Sequence, residues 1–181
     1  MKKKDLEIKT TIESILKNSS SGQRLKNYFV ELPDKRIRRA ISVLSAIYPA
    51  QTTISDDDLS FILYMFSDTK FMRQDSFFLF VDAVNILNFT EHQKMRLIDA
   101  IKNIIEILCD KCDFGLDALL ESLFEPKELF QYLEVLAEKG SYRVLERVFY
   151  ILRYKGFSNS GVSDEKIENL KQKVSEFLNR I

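Results

Sequence analysis

Tryptophan is absent from the 181-residue sequence, proline occurs three times, glycine five times, cysteine twice and histidine once. Each scarcity closes off a class of chemistry or architecture. With so few turn-forming residues the chain has few tight turns, which favours long helices over a many-stranded β-sandwich or barrel. The glycines, at positions 22, 115, 140, 156 and 161, are too scattered to cradle a phosphate, which excludes a P-loop nucleotide hydrolase. No serine lies in a Gly-x-Ser-x-Gly elbow, and any Ser-His or general acid–base mechanism would have to rest on His92 alone.

Cys109 and Cys112 have the spacing of a redox pair or of half a zinc site, but a second pair of ligands is lacking and no strand is expected before them. They read as two free thiols, and a chain with no need of disulfides suits a reducing cytoplasm. The longest apolar runs, such as Phe77-Phe78-Leu79-Phe80-Val81, are far shorter than the roughly 20 residues that span a bilayer. The opening MKKKDLEIKTTIES has no apolar stretch of the kind a secretory signal carries, so neither export nor membrane insertion is expected.

What remains is rich in helix formers: 45% of residues are hydrophobic and 30% are charged. Helix boundaries can be read from capping chemistry, because the first amides and last carbonyls of a helix lack internal partners. Pro33 and Asp34 start a helix that Pro49 stops after Tyr48, with Ile37, Ala40, Ile41, Leu44, Ile47 and Tyr48 on its buried face. Ser55 with Asp58, and Thr90 with Gln93, have capping-box spacing. From Glu91 a stripe of Met95, Ile98, Ile101, Ile105 and Leu108 predicts a helix of four turns or more.

Pro126 opens a helix that Gly140 closes in a left-handed conformation, and Ser141 begins another that Gly156 closes likewise, giving a helical hairpin. The last helix starts near Ser163 and buries Ile167, Leu170, Val174, Phe177, Leu178 and Ile181. Between Asp75 and Leu87 apolar residues are so dense that the segment is expected at the centre of a bundle, with a short buried strand as the alternative. Asn18–Gly22 and Phe157–Gly161 read as polar linkers. No repeat period emerges. The expected fold is all-α: a single helical domain over residues 1–181, an irregular bundle of about eight to ten helices in antiparallel hairpins, with a solenoid-like stack as the alternative arrangement.

Charge is balanced at 27 basic against 27 acidic residues, yet it is zoned. Residues 1–49 carry eleven Lys and Arg against five Asp and Glu, a net of +6; residues 50–134 carry seven against sixteen, a net of −9; residues 135–181 carry nine against six, a net of +3. An acidic zone of this kind would steer a basic partner into contact. The candidate partner-binding residues are Asp56, Asp57, Asp58, Asp110, Asp113, Asp117 and Glu121. Against this, Asp56–Asp58 could simply favour a helix N-terminus, whereas the four-residue spacing of Asp113, Asp117 and Glu121 sets like charges on one helical face at some cost.

Lys35, Arg36, Arg38 and Arg39 form the densest basic cluster and could meet phosphates, or could be a solvated or internally paired face. A metal held by Asp110, Asp113 and Asp117 lacks a matching acidic helix, and neither metal nor cofactor is expected. The expectation is therefore a non-enzymatic, cytoplasmic protein-binding protein. It would be an inhibitor or immunity protein that neutralises a basic partner such as a toxin nuclease; the alternative is a helical nucleic-acid-binding or regulatory protein using Lys35–Arg39.

Overall fold

Capping and periodicity do set the elements. The computed structural model describes residues 3–17, 20–48, 54–111, 113–154, 157 and 161–180. Eleven helices lie among them and no strand: α1 (Lys3–Leu16), α2 (Ser21–Glu31), α3 (Asp34–Ile47), α4 (Asp56–Ser67), α5 (Thr69–Met72), α6 (Phe77–Asn85), α7 (Glu91–Lys111), α8 (Asp113–Leu123), α9 (Pro126–Lys139), α10 (Tyr142–Tyr154) and α11 (Asp164–Leu178). The chain is all-α, as expected, with α5 adding one short turn of helix beyond the range anticipated. By backbone proximity it divides into two units, Met1–Ile104 and Ile105–Ile181, with the division falling inside α7.

In the first unit α2 packs on α4, α3 on α6, and α1 on α2 and α3. Its core is aromatic. Phe29, Tyr48, Phe61, Phe66, Phe71, Phe77 and Phe80 are all but inaccessible to solvent. Their rings meet mostly edge-on or tilted: Phe29 and Phe71 lie 5.8 Å apart at 81°, and Phe66 and Phe77 5.6 Å apart at 83°. Such pairs add about 0.5–1.5 kcal/mol beyond the area they bury. The Asp75–Leu87 segment is helical, not a strand, and supplies Phe77, Phe80, Val81, Ala83 and Val84 to this core. It is not central on every side, because Phe78 and Ile86 face outward.

In the second unit α9, α10 and α11 pack on one another, and α8 packs on α9. Leu129, Phe130 and Leu133 of α9 join Val144, Leu145, Val148, Ile151 and Leu152 of α10 and Ile167, Leu170 and Val174 of α11 in its interior. Phe177, expected on that buried face, is exposed, and Ile181 lies outside the described residues.

Several expected details shift. Pro33 is the N-cap of α3 rather than its first helical residue. Gly140 closes α9 in an extended conformation, φ −73° and ψ 150°, not a left-handed one. A Cβ there would lie 2.6 Å from both the Leu136 carbonyl oxygen and Val144 Cγ1, so crowding demands glycine. Gly156 lies outside the described residues, and among the described glycines only Gly161 has the positive φ, 73°, that was expected elsewhere. On α7 the buried stripe is Leu97, Ile101, Ile105 and Leu108, with Met95 exposed. Ser21 and Gly22, expected in a linker, are buried in the first turn of α2.

Candidate functional site

The acidic triplet Asp56-Asp57-Asp58 opens α4, and Ser55 forms the expected capping box. The Asp58 backbone N–H donates to Ser55 Oγ at 3.1 Å, while the Ser55 backbone N–H donates to Asp58 Oδ2 at 3.2 Å. The other carboxylate oxygen does something a cap alone does not: it accepts from Ser21 Oγ at 2.6 Å, across 37 residues of sequence. Asp58 is thereby buried with both oxygens engaged.

Asp57 performs a related task for α2. The N-cap of that helix, Ser20, makes no side-chain capping bond. Asp57 supplies it from α4 instead, accepting from the backbone N–H of Gly22 at 2.7 Å and of Gln23 at 3.1 Å. A carboxylate at the positive end of a helix, bonded to otherwise orphaned amides, is favourable on both dipole and hydrogen-bond grounds. The approach is close enough that a Cβ on Gly22 would lie 2.0 Å from the Asp57 carbonyl oxygen.

Asp56 extends the network to a third helix start. Gln93, in the first turn of α7, forms its capping box with Thr90, and its Nε2 donates to the Ile54 carbonyl at 3.2 Å and to Asp56 Oδ1 at 3.1 Å. Three helix N-termini of the first unit are thus tied through one acidic triplet. Tyr48 lies close enough to Asp57 and Asp58 for them to raise its phenol pKa, though burial is the larger cause. Its hydroxyl is buried without a hydrogen-bond partner among the described residues.

In the second unit Asp117 is buried on α8, where its Oδ2 accepts from Arg147 Nη1 of α10 at 3.2 Å. The Arg147 guanidinium also stacks over the Tyr150 ring, 5.2 Å from its centroid, and Tyr150 meets Tyr154 at 4.6 Å. Cys109 is a buried thiol whose pKa is pushed up to about 12, chiefly by burial; Arg147 opposes the shift and Asp117 and Glu106 add to it. Tyr132 is likewise pushed up to about 12 by burial, with a contribution from Cys109. A thiol held this firmly protonated is a poor nucleophile and metal ligand.

The seven acidic candidates therefore do not act alike. Asp58 and Asp117 are interior and committed to partners within the chain, so neither offers a carboxylate to another molecule. Asp57 is half-buried and caps α2. Asp56 and Glu121 are exposed. The side chains of Asp110 and Asp113, and Cys112 altogether, lie outside the described residues. Exposed acids outside the sequence candidates include Asp82, Asp99, Glu106 and Glu134, each isolated in sequence and so invisible to a search for clusters.

Of the basic candidates, Lys35, Arg38 and Arg39 are exposed and Arg36 partly so, opposite the buried Ile37, Ala40 and Ile41. Arg38 reaches Asp75 at 3.5 Å, an exposed pair worth little. His92 is exposed. Among the described residues no group of three or more His, Cys, Asp or Glu is placed to hold a metal, and no helix is long and apolar enough to cross a membrane. No protein-family model matches the chain, and neither the curated proteins nor the solved structures contain a match to it.

Proposed function

We propose that this is a non-enzymatic binding protein of the inhibitor or immunity type, which neutralises a basic partner such as a toxin nuclease through exposed carboxylates. One observation carries the reading. The zone of net −9 keeps Asp56, Asp82, Asp99, Glu106, Glu121 and Glu134 on the surface even after Asp58 and Asp117 are withdrawn into the interior. Exposed like charges contribute nothing to a core, and their field accelerates encounter with a cationic surface while repelling an anionic one. The carboxylates put forward are accordingly not the clustered aspartates, which hold helices together, but the exposed, dispersed acids.

The test is capture from native lysate with the wild-type chain and with Asp99→Lys/Glu121→Lys, followed by titration of the captured protein in rising salt. A basic protein held by the wild type, lost to the reversed variant and released by salt is the expected result. Retention by the reversed variant with loss on Arg38→Glu/Arg39→Glu would refute it. The exposure of Lys35, Arg38 and Arg39 on one face of α3 favours a second reading, nucleic-acid binding. That reading requires oligonucleotide affinity falling steeply between roughly 50 and 200 mM salt.

A further inference from the structure

Helix α6 has one face in the core, through Phe77, Phe80, Val81 and Val84, all inaccessible to solvent. Its opposite face should be polar if it met only water. Instead Phe78 is 43% exposed and Ile86, just past the last turn, is 61% exposed. Asp82 lies between them, four residues from each, so the three fall on one stripe with Asp82 in the middle and Leu79 half-buried alongside.

Asp82 differs from three other exposed acids of its unit. Asp34, Asp75 and Glu91 each have a cation within reach, Lys70 at 3.3 Å, Arg38 at 3.5 Å and Lys94 at 2.9 Å respectively. The Asp82 side chain has no ion pair or hydrogen bond among the described residues, and no Lys or Arg occurs anywhere between Arg73 and Lys94. Partial burial raises its pKa, with no cation opposing the shift. An exposed carboxylate flanked at four-residue spacing by Phe78 and Ile86 and lacking a counter-charge can take a cation from a partner.

We infer that the outward face of α6, centred on Phe78, Asp82 and Ile86, docks an amphipathic helix of a partner protein that places a lysine or arginine between apolar side chains. The apolar anchors would flank the carboxylate at helical spacing, and the partner's cation would complete the pair. A second copy of the chain fits poorly: an isologous contact about the middle of α6 would bring two Asp82 carboxylates together. Nucleic acid fits worse, since the face holds a carboxylate and no cation. This inference rests on the proposal of a basic partner and gives that partner a place to bind.

The probe is a fluorescein-labelled amphipathic helical peptide of leucine and alanine with one central lysine, titrated by anisotropy against the full chain, beside a twin carrying glutamate at that position. The wild type should bind the lysine peptide about tenfold or more tighter than its twin. Asp82→Lys should reverse that preference, and Phe78→Ser should weaken both peptides; Asp82→Asn, a milder change, should abolish the discrimination without altering the helical circular dichroism. Equal binding of the two peptides, a preference unmoved by Asp82→Lys, or concentration-dependent dimerisation lost on Phe78→Ser would each overturn it. If capture of the basic partner depends on Asp99 and Glu121 but not on Asp82, the α6 site fails while the proposed function stands.

Discussion

Gly22→Ala sets two effects of opposite sign against each other. Position 22 is inside the first turn of α2, where alanine is favoured over glycine by about 1 kcal/mol on helix propensity alone. The structure opposes this. The added Cβ would lie 2.0 Å from the Asp57 carbonyl oxygen, 2.4 Å from its carbonyl carbon and 2.8 Å from the Asp58 nitrogen, all backbone atoms that cannot swing aside. Relief requires the start of α2 to withdraw from α4 by about 1 Å, judged against ordinary carbon–oxygen contact distances.

Such a withdrawal lengthens three hydrogen bonds, from Gly22 N–H and Gln23 N–H to Asp57 and from Ser21 Oγ to Asp58. Bonds to charged groups contribute about 1.5–3 kcal/mol each, and partial loss of three outweighs the propensity gain. Gly22→Ala should therefore destabilise by about 2–4 kcal/mol, within the reach of overpacking effects. Urea unfolding followed by circular dichroism measures it, with Asp57→Ala and the double variant completing a cycle. Because the alanine acts partly by breaking bonds that Asp57→Ala already removes, the double variant should cost less than the sum. A stabilised or unchanged Gly22→Ala, or strict additivity with Asp57→Ala, would show that this helix junction is not tight.

Other expectations follow from the buried polar groups. Removing Asp117 by substitution with alanine leaves the Arg147 guanidinium in the interior without that carboxylate and should cost about 3 kcal/mol, the low end for a broken buried pair because Arg147 remains 14% accessible; Asp117→Leu/Arg147→Met should recover most of it in the same urea assay. Tyr48→Phe deletes a buried hydroxyl that has no partner among the described residues, so stability should be unchanged or higher by up to about 1 kcal/mol, and a loss of about 1 kcal/mol or more would reveal a bond to the phenol. Above pH 9 stability should fall: unfolded Cys109 and Tyr132 release protons from near 9.0 and 10.0, whereas the folded groups hold theirs to about 12, so rising pH favours the unfolded chain. A urea midpoint flat from pH 8 to 11, or rapid native-state alkylation of Cys109 at pH 8, would contradict this burial.

Helix starts were legible because their chemistry is local. The Ser55–Asp58 and Thr90–Gln93 boxes each lie within three residues and form as their spacing implied, and the last helix starts near Ser163 as expected, with that serine as its cap. The phase of α7 was not legible: Met95-Ile98 and Leu97-Ile101 both satisfy helical spacing, and only the rest of the fold selects the second. The acidic cluster misled for a similar reason. Nothing near Asp117 in sequence announces Arg147, 30 residues away, and nothing near Asp58 announces Ser21. Gly22, beside a serine run, resembled a linker until the backbone of α4 appeared against it.

Sharing carboxylates among the beginnings of α2, α4 and α7 alters how the first unit comes apart. Ordinarily a helix frays from its tip, independently of its neighbours. Here the amides of Gly22, Gln23 and Asp58 are held by groups on one short stretch, so releasing α4's first turn also uncaps α2 and detaches Gln93 from Asp56. Deuterium should enter those amide positions at a common rate, as one opening event.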